Sequence, residues 1–209
     1  MRPRLAVIYH SRHGTLRTLS LAAAEGARRE GARVRVLQVA DEDGPGATGA
    51  TGAAGGRVPR WPERVAVPED VMRADAVLLA GPTYFGNVSS SLKRFLESAT
   101  PLWREGLLAD RLVTGMTSST CTHGGREATL LALHQTVYHW GCWVAGADPG
   151  APHFGLSGGN PYGLSAVGGR GPSGPAEREG ARELGSRLAA LAARIAAAAS
   201  SAISRTAAT

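Results

Sequence analysis

The feature that most constrains this chain is a regular alternation of strand-like and helix-like segments. Short apolar runs rich in β-branched residues lie at 4–10, 34–39, 75–80, 112–116 and 142–145. Apolar residues at helical spacing lie between and after them, from residue 15 to the glycine at 31 and at 90–99, 126–139 and 176–199. Such alternation is typical of a parallel sheet with helices on both faces. Right-handed crossovers then favour a doubly wound α/β sheet of five strands.

One domain is expected over residues 1–200. The Gly-, Ala- and Thr-rich stretch at 41–60 predicts a flexible loop, and the Gly- and Pro-rich stretch at 146–175 predicts a connection. The short polar, Ala-rich tail at 201–209 is expected to fray.

Charge and cysteine content exclude several classes of protein. The net charge is +6, but the basic residues are scattered, and only Lys93 among the 23 is a lysine, so no nucleic-acid partner is expected. Cys121 and Cys142 form no metal or disulfide pattern. No uncharged apolar run reaches the ~18 residues of a membrane helix. A soluble cytoplasmic protein without a metal is therefore expected.

Three glycine motifs lack the context that would make them functional. Residues 44–49 and 169–174 both match G-x-G-x-x-G, yet neither follows the first strand of a unit and opens a helix. Residues 155–159 match the nucleophile elbow of hydrolases, but His153 is the last histidine, and that elbow needs a later one. These segments are therefore interpreted as loops.

The chemistry is expected in the loops that follow strands, because ligands of doubly wound sheets bind at the carboxyl ends of the strands. Residues 11–18 combine hydroxyls and a glycine at a helix start, which favours a phosphate site, although a plain capped helix would look the same. Residues 81–87 could lie flat against a planar ligand or form an ordinary turn. Residues 118–125 add a second hydroxyl- and glycine-rich loop at the neighbouring strand end.

Taken together, these segments resemble the WrbA family of NAD(P)H:quinone oxidoreductases, which are flavodoxin-like proteins. Residues 82–87 match P-T-x-F-G-N, and residues 118–125 match S-S-T-x-T-x-G-G. Leu102-Trp103 with Gly106-Leu107 matches L-W-x-x-G-x-L. Residues 158–163 match the G-G-x-P-Y-G stretch that ordinary flavodoxins lack. The resemblance implies the strand order 2-1-3-4-5.

The resemblance also implies non-covalent FMN, with its phosphate in the first loop and its ring between the other two. The implied cofactor contacts are Ser11, Arg12, His13, Gly14, Thr15, Leu16, Pro82, Thr83, Tyr84, Phe85, Gly86, Asn87, Ser118, Ser119, Thr120, Cys121, Thr122, His123, Gly124 and His139. His139 is the implied catalytic donor to the flavin. His13 and Trp103 are the implied substrate contacts, Trp103 across the interface of a homo-oligomer (tetramer or dimer).

The implied reaction is a ping-pong transfer of two electrons from NAD(P)H through FMN to a quinone. Four residues, His13, Thr15, Cys121 and His123, depart from the usual family loops. Three alternatives remain open: an electron-carrying flavodoxin, a reductase of another aromatic acceptor (a tailoring, azo or nitro reductase), and a cofactor-free structural protein.

Overall fold

The computed structural model of the chain describes residues 2–40, 62–168 and 173–206. The predicted flexible loop at 41–60 and the end of the predicted tail lie outside these residues, as do two glycines of the 169–174 motif.

Strands and helices alternate along the described chain. The strands are β1 (Arg4–Tyr9), β2 (Arg33–Gln38), β3 (Arg64–Val65), β4 (Ala76–Tyr84), β5 (Asn87–Val88), β6 (Leu112–Ser119), β7 (Trp143–Val144) and β8 (Leu164–Val167). The helices are α1 (Thr15–Arg29), α2 (Pro68–Met72), α3 (Ser90–Ser98), α4 (Thr100–Arg104), α5 (Arg126–His139) and α6 (Pro175–Thr206). The long helices begin within a residue of their predicted starts.

The sheet has the order β3-β2-β1-β4-β6-β7, and all of these neighbours are parallel. Val7 of β1 lies between Val36 of β2 and Leu78 of β4, so β1 and its neighbours form the centre of the sheet. With the short edge strand β3 set aside, this is the predicted order 2-1-3-4-5. The doubly wound sheet is thus confirmed.

The fifth strand of the prediction is divided in the structure. The predicted run at 142–145 gives only β7, which pairs with Leu112 and Val113 at the start of β6. Farther along, β8 pairs with Met116 to Ser119 at the end of the same strand. The sequence missed β8 because its four residues lie inside the glycine-rich stretch that predicts a connection.

Other differences concern short or terminal elements. The elements β3, β5, α2 and α4 are two to five residues long, too short for periodicity to indicate them. At the other end, α6 continues to Thr206, past the predicted end at 199, in a stretch rich in the good helix former alanine.

Two apolar cores lie on the two faces of the sheet. Leu5, Val7 and Tyr9 face the core that packs under α1 and α6. The alternate residues Ala6 and Ile8 face the core under α3 and α5. Because side chains of a strand alternate between faces, a strand with apolar residues on both faces is buried on both sides, as β1 is from Leu5 to Tyr9.

The helices α1 and α6 pack through glycines. A Cβ on Gly26 would clash with the carbonyl oxygen of Arg182, and a Cβ on Gly185 would clash with that of Ala23. The two backbones therefore approach more closely than any side chain allows.

Replacing Gly26 with alanine is expected to lower the free energy of unfolding by about 1–3 kcal/mol, because the added methyl forces the helices apart. Intrinsic helix propensity alone would raise it by about 1 kcal/mol. Urea denaturation measures the sign. Gly155→Ala is the control, since nothing lies within 4 Å of a Cβ at that position. A stabilised Gly26→Ala protein would contradict the close packing.

Candidate functional site

A cavity of about 710 Å³ lies at the carboxyl ends of β1, β4 and β6, where three loops meet. The chain leaves β1 toward α1 on one face of the sheet and leaves β4 toward α3 on the other. The loops diverge here, so this is the point at which a doubly wound sheet binds its ligand. The volume lies within the range of pockets that hold small molecules, ~300–1,000 Å³.

The cavity brings together most of the residues that the sequence singled out. All of the predicted cofactor contacts line it except Gly14, Asn87, Thr122 and His139. Gly125 and Gly168 also line it. Sequence reasoning missed these two as contacts although both belong to the quoted motifs or adjoin them.

The first loop leaves the start of α1 suited to bind an anion. The amide of Gly14 donates to Ser11 Oγ at 3.1 Å, and Gly14 adopts a left-handed conformation with φ 86°. No side chain caps this helix, and its first turn contains no acidic residue. The positive end of the helix dipole therefore faces the cavity without a competing carboxylate in that turn.

Beneath this loop, Glu63 ties α1 to β1. Arg17 Nη2 lies 2.7 Å from Glu63 Oε1, and the buried Tyr9 hydroxyl donates to Glu63 Oε2 at 2.9 Å. Burial raises the pKa of Glu63, but the hydrogen bonds from Arg17 and Tyr9 outweigh it and hold the pKa below its ordinary value. The ionised carboxylate thus fixes the first turn of α1 against the end of β1.

The second loop is a tight hairpin between β4 and β5. Tyr84 pairs with Asn87, and the two residues between them, Phe85 and Gly86, have φ of 52° and 76°. A type I′ turn requires positive φ at both positions. For a bulky residue such as phenylalanine this conformation is strained. The Phe85 side chain is also fully exposed, so its packing within this chain does not repay the strain.

The second and third loops are locked together. Thr129 at the start of α5 donates to Thr83 Oγ1 at 2.5 Å, and Thr83 Oγ1 donates to the carbonyl of Gly124 at 3.3 Å. A Cβ on Gly125 would lie 2.8 Å from the Cα of Gly86. Glycine at 125 therefore lets two backbones touch at the floor of the cavity.

The residue that follows β8, Gly168, lines the cavity beside the start of α1. The amide of Gly168 donates to the carbonyl of Ser119 at 2.8 Å, which continues the pairing of β8 with β6. A Cβ on Gly168 would meet the Thr15 side chain at 3.4 Å. The missed strand β8 thus delivers a wall of the site.

His139 and Trp103 do not reach the cavity of their own chain. His139 ends α5, whose first residue follows the cavity-lining Gly125, so the 14-residue helix separates the two by about 20 Å. Trp103 lies beside it, and its indole N–H donates to the His139 carbonyl oxygen at 2.7 Å. Within one chain, neither the predicted flavin contact of His139 nor the predicted substrate contact of Trp103 is available.

Two other kinds of feature are absent from the described residues. Over residues 2–40, 62–168 and 173–206, no group of three or more His, Cys, Asp or Glu side chains could hold a metal ion. Within the same part of the chain, no helix is both long enough and apolar enough to cross a membrane.

The fold and this cavity define a flavodoxin-like protein. The fold is similar to that of a WrbA-like flavodoxin from Agrobacterium tumefaciens, with a TM-score of 0.66 and 22% identity over 92% of this chain and 98% of that one. An archaeal flavodoxin aligns with a TM-score of 0.59 and 12% identity, covering 90% of this chain and 98% of the other.

Sequence comparison narrows this class to a family. The family model of NADPH-dependent FMN reductases matches residues 3–154. Relatives named NAD(P)H dehydrogenase (quinone) include one from Caulobacter vibrioides, 34% identical, and one from Cupriavidus metallidurans, 35% identical. Each alignment covers 89% of this chain and 95% of the relative. The chain belongs to the NADPH-dependent FMN reductase family and, within it, to the WrbA type.

Replacing Phe85 with asparagine is expected to raise the free energy of unfolding of the cofactor-free protein by about 1 kcal/mol, because asparagine tolerates positive φ. Urea denaturation measures the change. Phe85→Leu is the matched control, since leucine removes the ring but keeps the strain. Equal stabilities of the asparagine and leucine variants would show that the turn stores no strain.

Proposed function

We propose that the protein is an FMN-dependent NAD(P)H:quinone oxidoreductase that binds FMN non-covalently in the cavity of the three loops. The observation that carries this proposal is the cavity at the divergence of β1 and β4, with an anion-ready helix start at one end. The names of the family and of the relatives agree with it.

The residues present suit this cofactor. The start of α1, with the Ser11 hydroxyl beside it, provides the donors and the positive potential that a phosphate needs. Ser118 is only 6% exposed and lines the cavity. A hydroxyl at a cavity wall can donate to or accept from a polar ligand that fills the cavity. The Gly86–Gly125 contact leaves a backbone surface without side chains for a flat ring.

FMN, when bound, would supply the two-electron chemistry, taking electrons from NAD(P)H and passing them to the quinone. The chain itself contributes binding and orientation. The hairpin of Thr83 to Asn87 would present backbone N–H groups to one edge of the ring, and residues 118–125 would border another. Preorganised donors of this kind stabilise charge that develops on a bound ring.

The shape of the site supports a ping-pong order. The first loop, the hairpin and the third loop wall the cavity, and exposed Tyr84 and Phe85 stand at its rim. Donor and acceptor would therefore use the same opening in turn.

A second copy of the chain would complete the site. Beside Trp103 and His139, Tyr138 at the end of α5 is 63% exposed. This aromatic face is the surface by which we propose homo-oligomer formation, as a tetramer or dimer, with Trp103 and His139 reaching a neighbour's cavity. The donor NAD(P)H is generated and used inside the cell, which favours a cytoplasmic location.

The purified protein is expected to be yellow, to lose its flavin absorbance on anaerobic addition of NADPH or NADH, and to recover it on addition of 1,4-benzoquinone. Steady-state rates should give parallel lines in double-reciprocal plots. A colourless protein that takes up no FMN would refute the proposal. Bound FMN with rapid reduction of a nitro- or azo-arene and none of quinones would favour the alternative acceptor.

Replacing Gly125 with alanine is expected to weaken FMN binding about tenfold or more, which is about 1.4 kcal/mol, because the methyl pushes the hairpin away from the third loop. Quenching of flavin fluorescence measures the Kd. Gly106→Ala is the matched control, since Gly106 also has positive φ, at 69°, but has nothing within 4 Å of a Cβ. Equal FMN affinity of the two variants would rule out the role of the glycine contact.

A further inference from the structure

The first turn of α1 carries a cation that does not line the cavity. Arg17, the third residue of the helix, binds the Glu63 carboxylate through two nitrogens, with Nη2 2.7 Å from Oε1 and Nε 3.2 Å from Oε2. Neither residue lines the cavity, although Thr15 and Leu16 of the same turn do. The ion pair therefore lies beside the helix start but outside the space that a ligand would fill.

The Glu63 carboxylate joins this turn to the sheet. The hydroxyl of Tyr9, the fully buried last residue of β1, donates to Glu63 Oε2 at 2.9 Å. Glu63 also directly precedes Arg64, which begins β3 and pairs with Leu37 of β2. One carboxylate is thus tied by hydrogen bonds to α1 and β1 and by the chain to the edge of the sheet.

The pair differs from an ordinary surface ion pair. The side chains of Arg17 and Glu63 are only 24% and 11% exposed. Exposed pairs are screened by water and hold their side chains loosely. A shielded, two-pronged contact between arginine and a carboxylate fixes both groups in one geometry.

The first turn of α1 is itself a well-formed unit. The N–H and the hydroxyl of Thr18 both donate to the Gly14 carbonyl oxygen, at 2.9 and 3.0 Å. The first N–H groups of a helix have no carbonyl partner within the helix and can bind a phosphate. Hydrogen bonds weaken steeply as their angle departs from linear, so phosphate affinity depends on how this turn is oriented. Arg17 belongs to the turn, and its partner Glu63 therefore controls that orientation.

The charges of the pair make its role testable. Glu63 cancels the charge of Arg17, so the intact pair adds little net attraction for an anion. Removal of the carboxylate alone would leave a cation beside the helix start, and charge alone would then tighten phosphate binding. Loss of the orientation would weaken phosphate binding. The two effects have opposite signs.

We propose that Glu63 is a positioning residue for the phosphate site. Through Arg17 it holds the first turn of α1 in the orientation that binds the phosphate of the flavin, and so sets the preference for FMN over riboflavin, which lacks the phosphate. This inference rests on the proposed function, which places FMN in the cavity. The flavin ring would lie against the hairpin and the third loop, which contain none of Tyr9, Arg17 and Glu63.

The test measures the Kd of FMN and of riboflavin for the cofactor-free protein by quenching of flavin fluorescence. Glu63→Gln is expected to weaken FMN binding about tenfold and to change riboflavin binding by less than about twofold. Arg17→Gln should give the same pattern. The double variant should lose no more FMN affinity than either single variant, because each change breaks the same link.

Asp70 provides a matched control. Its buried carboxylate also binds arginine, with Arg35 at 2.8 Å and Arg64 at 2.6 Å, but it lies in α2 and does not line the cavity. Asp70→Asn should lower the free energy of unfolding, because it breaks a buried ion pair, and should leave the ratio of the two Kd values unchanged.

A milder variant decides the question if Glu63→Gln does not fold. Tyr9→Phe keeps the ion pair and removes one hydrogen bond to the carboxylate, so it is expected to weaken FMN binding about threefold and to leave riboflavin binding unchanged.

Several results would overturn the role of Glu63. Tighter FMN binding by Glu63→Gln would show that the pair acts through charge, and equal loss of affinity for both flavins would show a general role in folding. Unchanged affinities, or a natural chain that binds both flavins equally, would also overturn it. A natural chain that binds neither flavin would instead overturn the proposed function.

Discussion

The site depends on the parallel pairing of β1 with β4. Their register places Tyr9, the last residue of β1, beside Ala80, and β4 continues from there to Tyr84 along the cavity. One loop then turns to α1 and the other toward α3, on opposite faces of the sheet. The third loop, from β6, closes the space between them from the side. The cavity is thus a consequence of strand order, and the loop residues decide what it holds.

The sequence predicted the sheet, the main helices and most of the cavity lining. Those predictions succeeded because the signals are local: β1 is apolar at every inward position, and α5 repeats at helical spacing from Arg126 to His139. The strand β8 was missed because four residues in a glycine-rich stretch do not form a pattern. β8 is a strand because it pairs with β6. A short stretch of sequence does not show which distant segment it pairs with.

In the candidate site too, the sequence predicted local features and missed those formed by contacts between distant segments. Ser11, Thr83 and Ser118 were found because they lie at or just beyond the carboxyl ends of strands, and that position can be read along the chain. The strained conformation of Phe85 and the Gly86–Gly125 contact were not foreseen, since both arise where two loops meet. The resemblance that singled out His139 and Trp103 could not tell which chain's cavity they serve. The structure places them at the opposite end of α5 from the cavity of their own chain, a separation that no local pattern of residue types encodes.

The divided edge of the sheet has a consequence for how this architecture tolerates change. β7 pairs with the first half of β6 and β8 pairs with the second half, so both ends of the segment between them are held by the sheet. A longer or different segment can therefore join β7 and β8 without a change in how either strand pairs with β6. The scaffold can therefore acquire a new outer surface at this edge while the strand ends that form the cavity stay where they are.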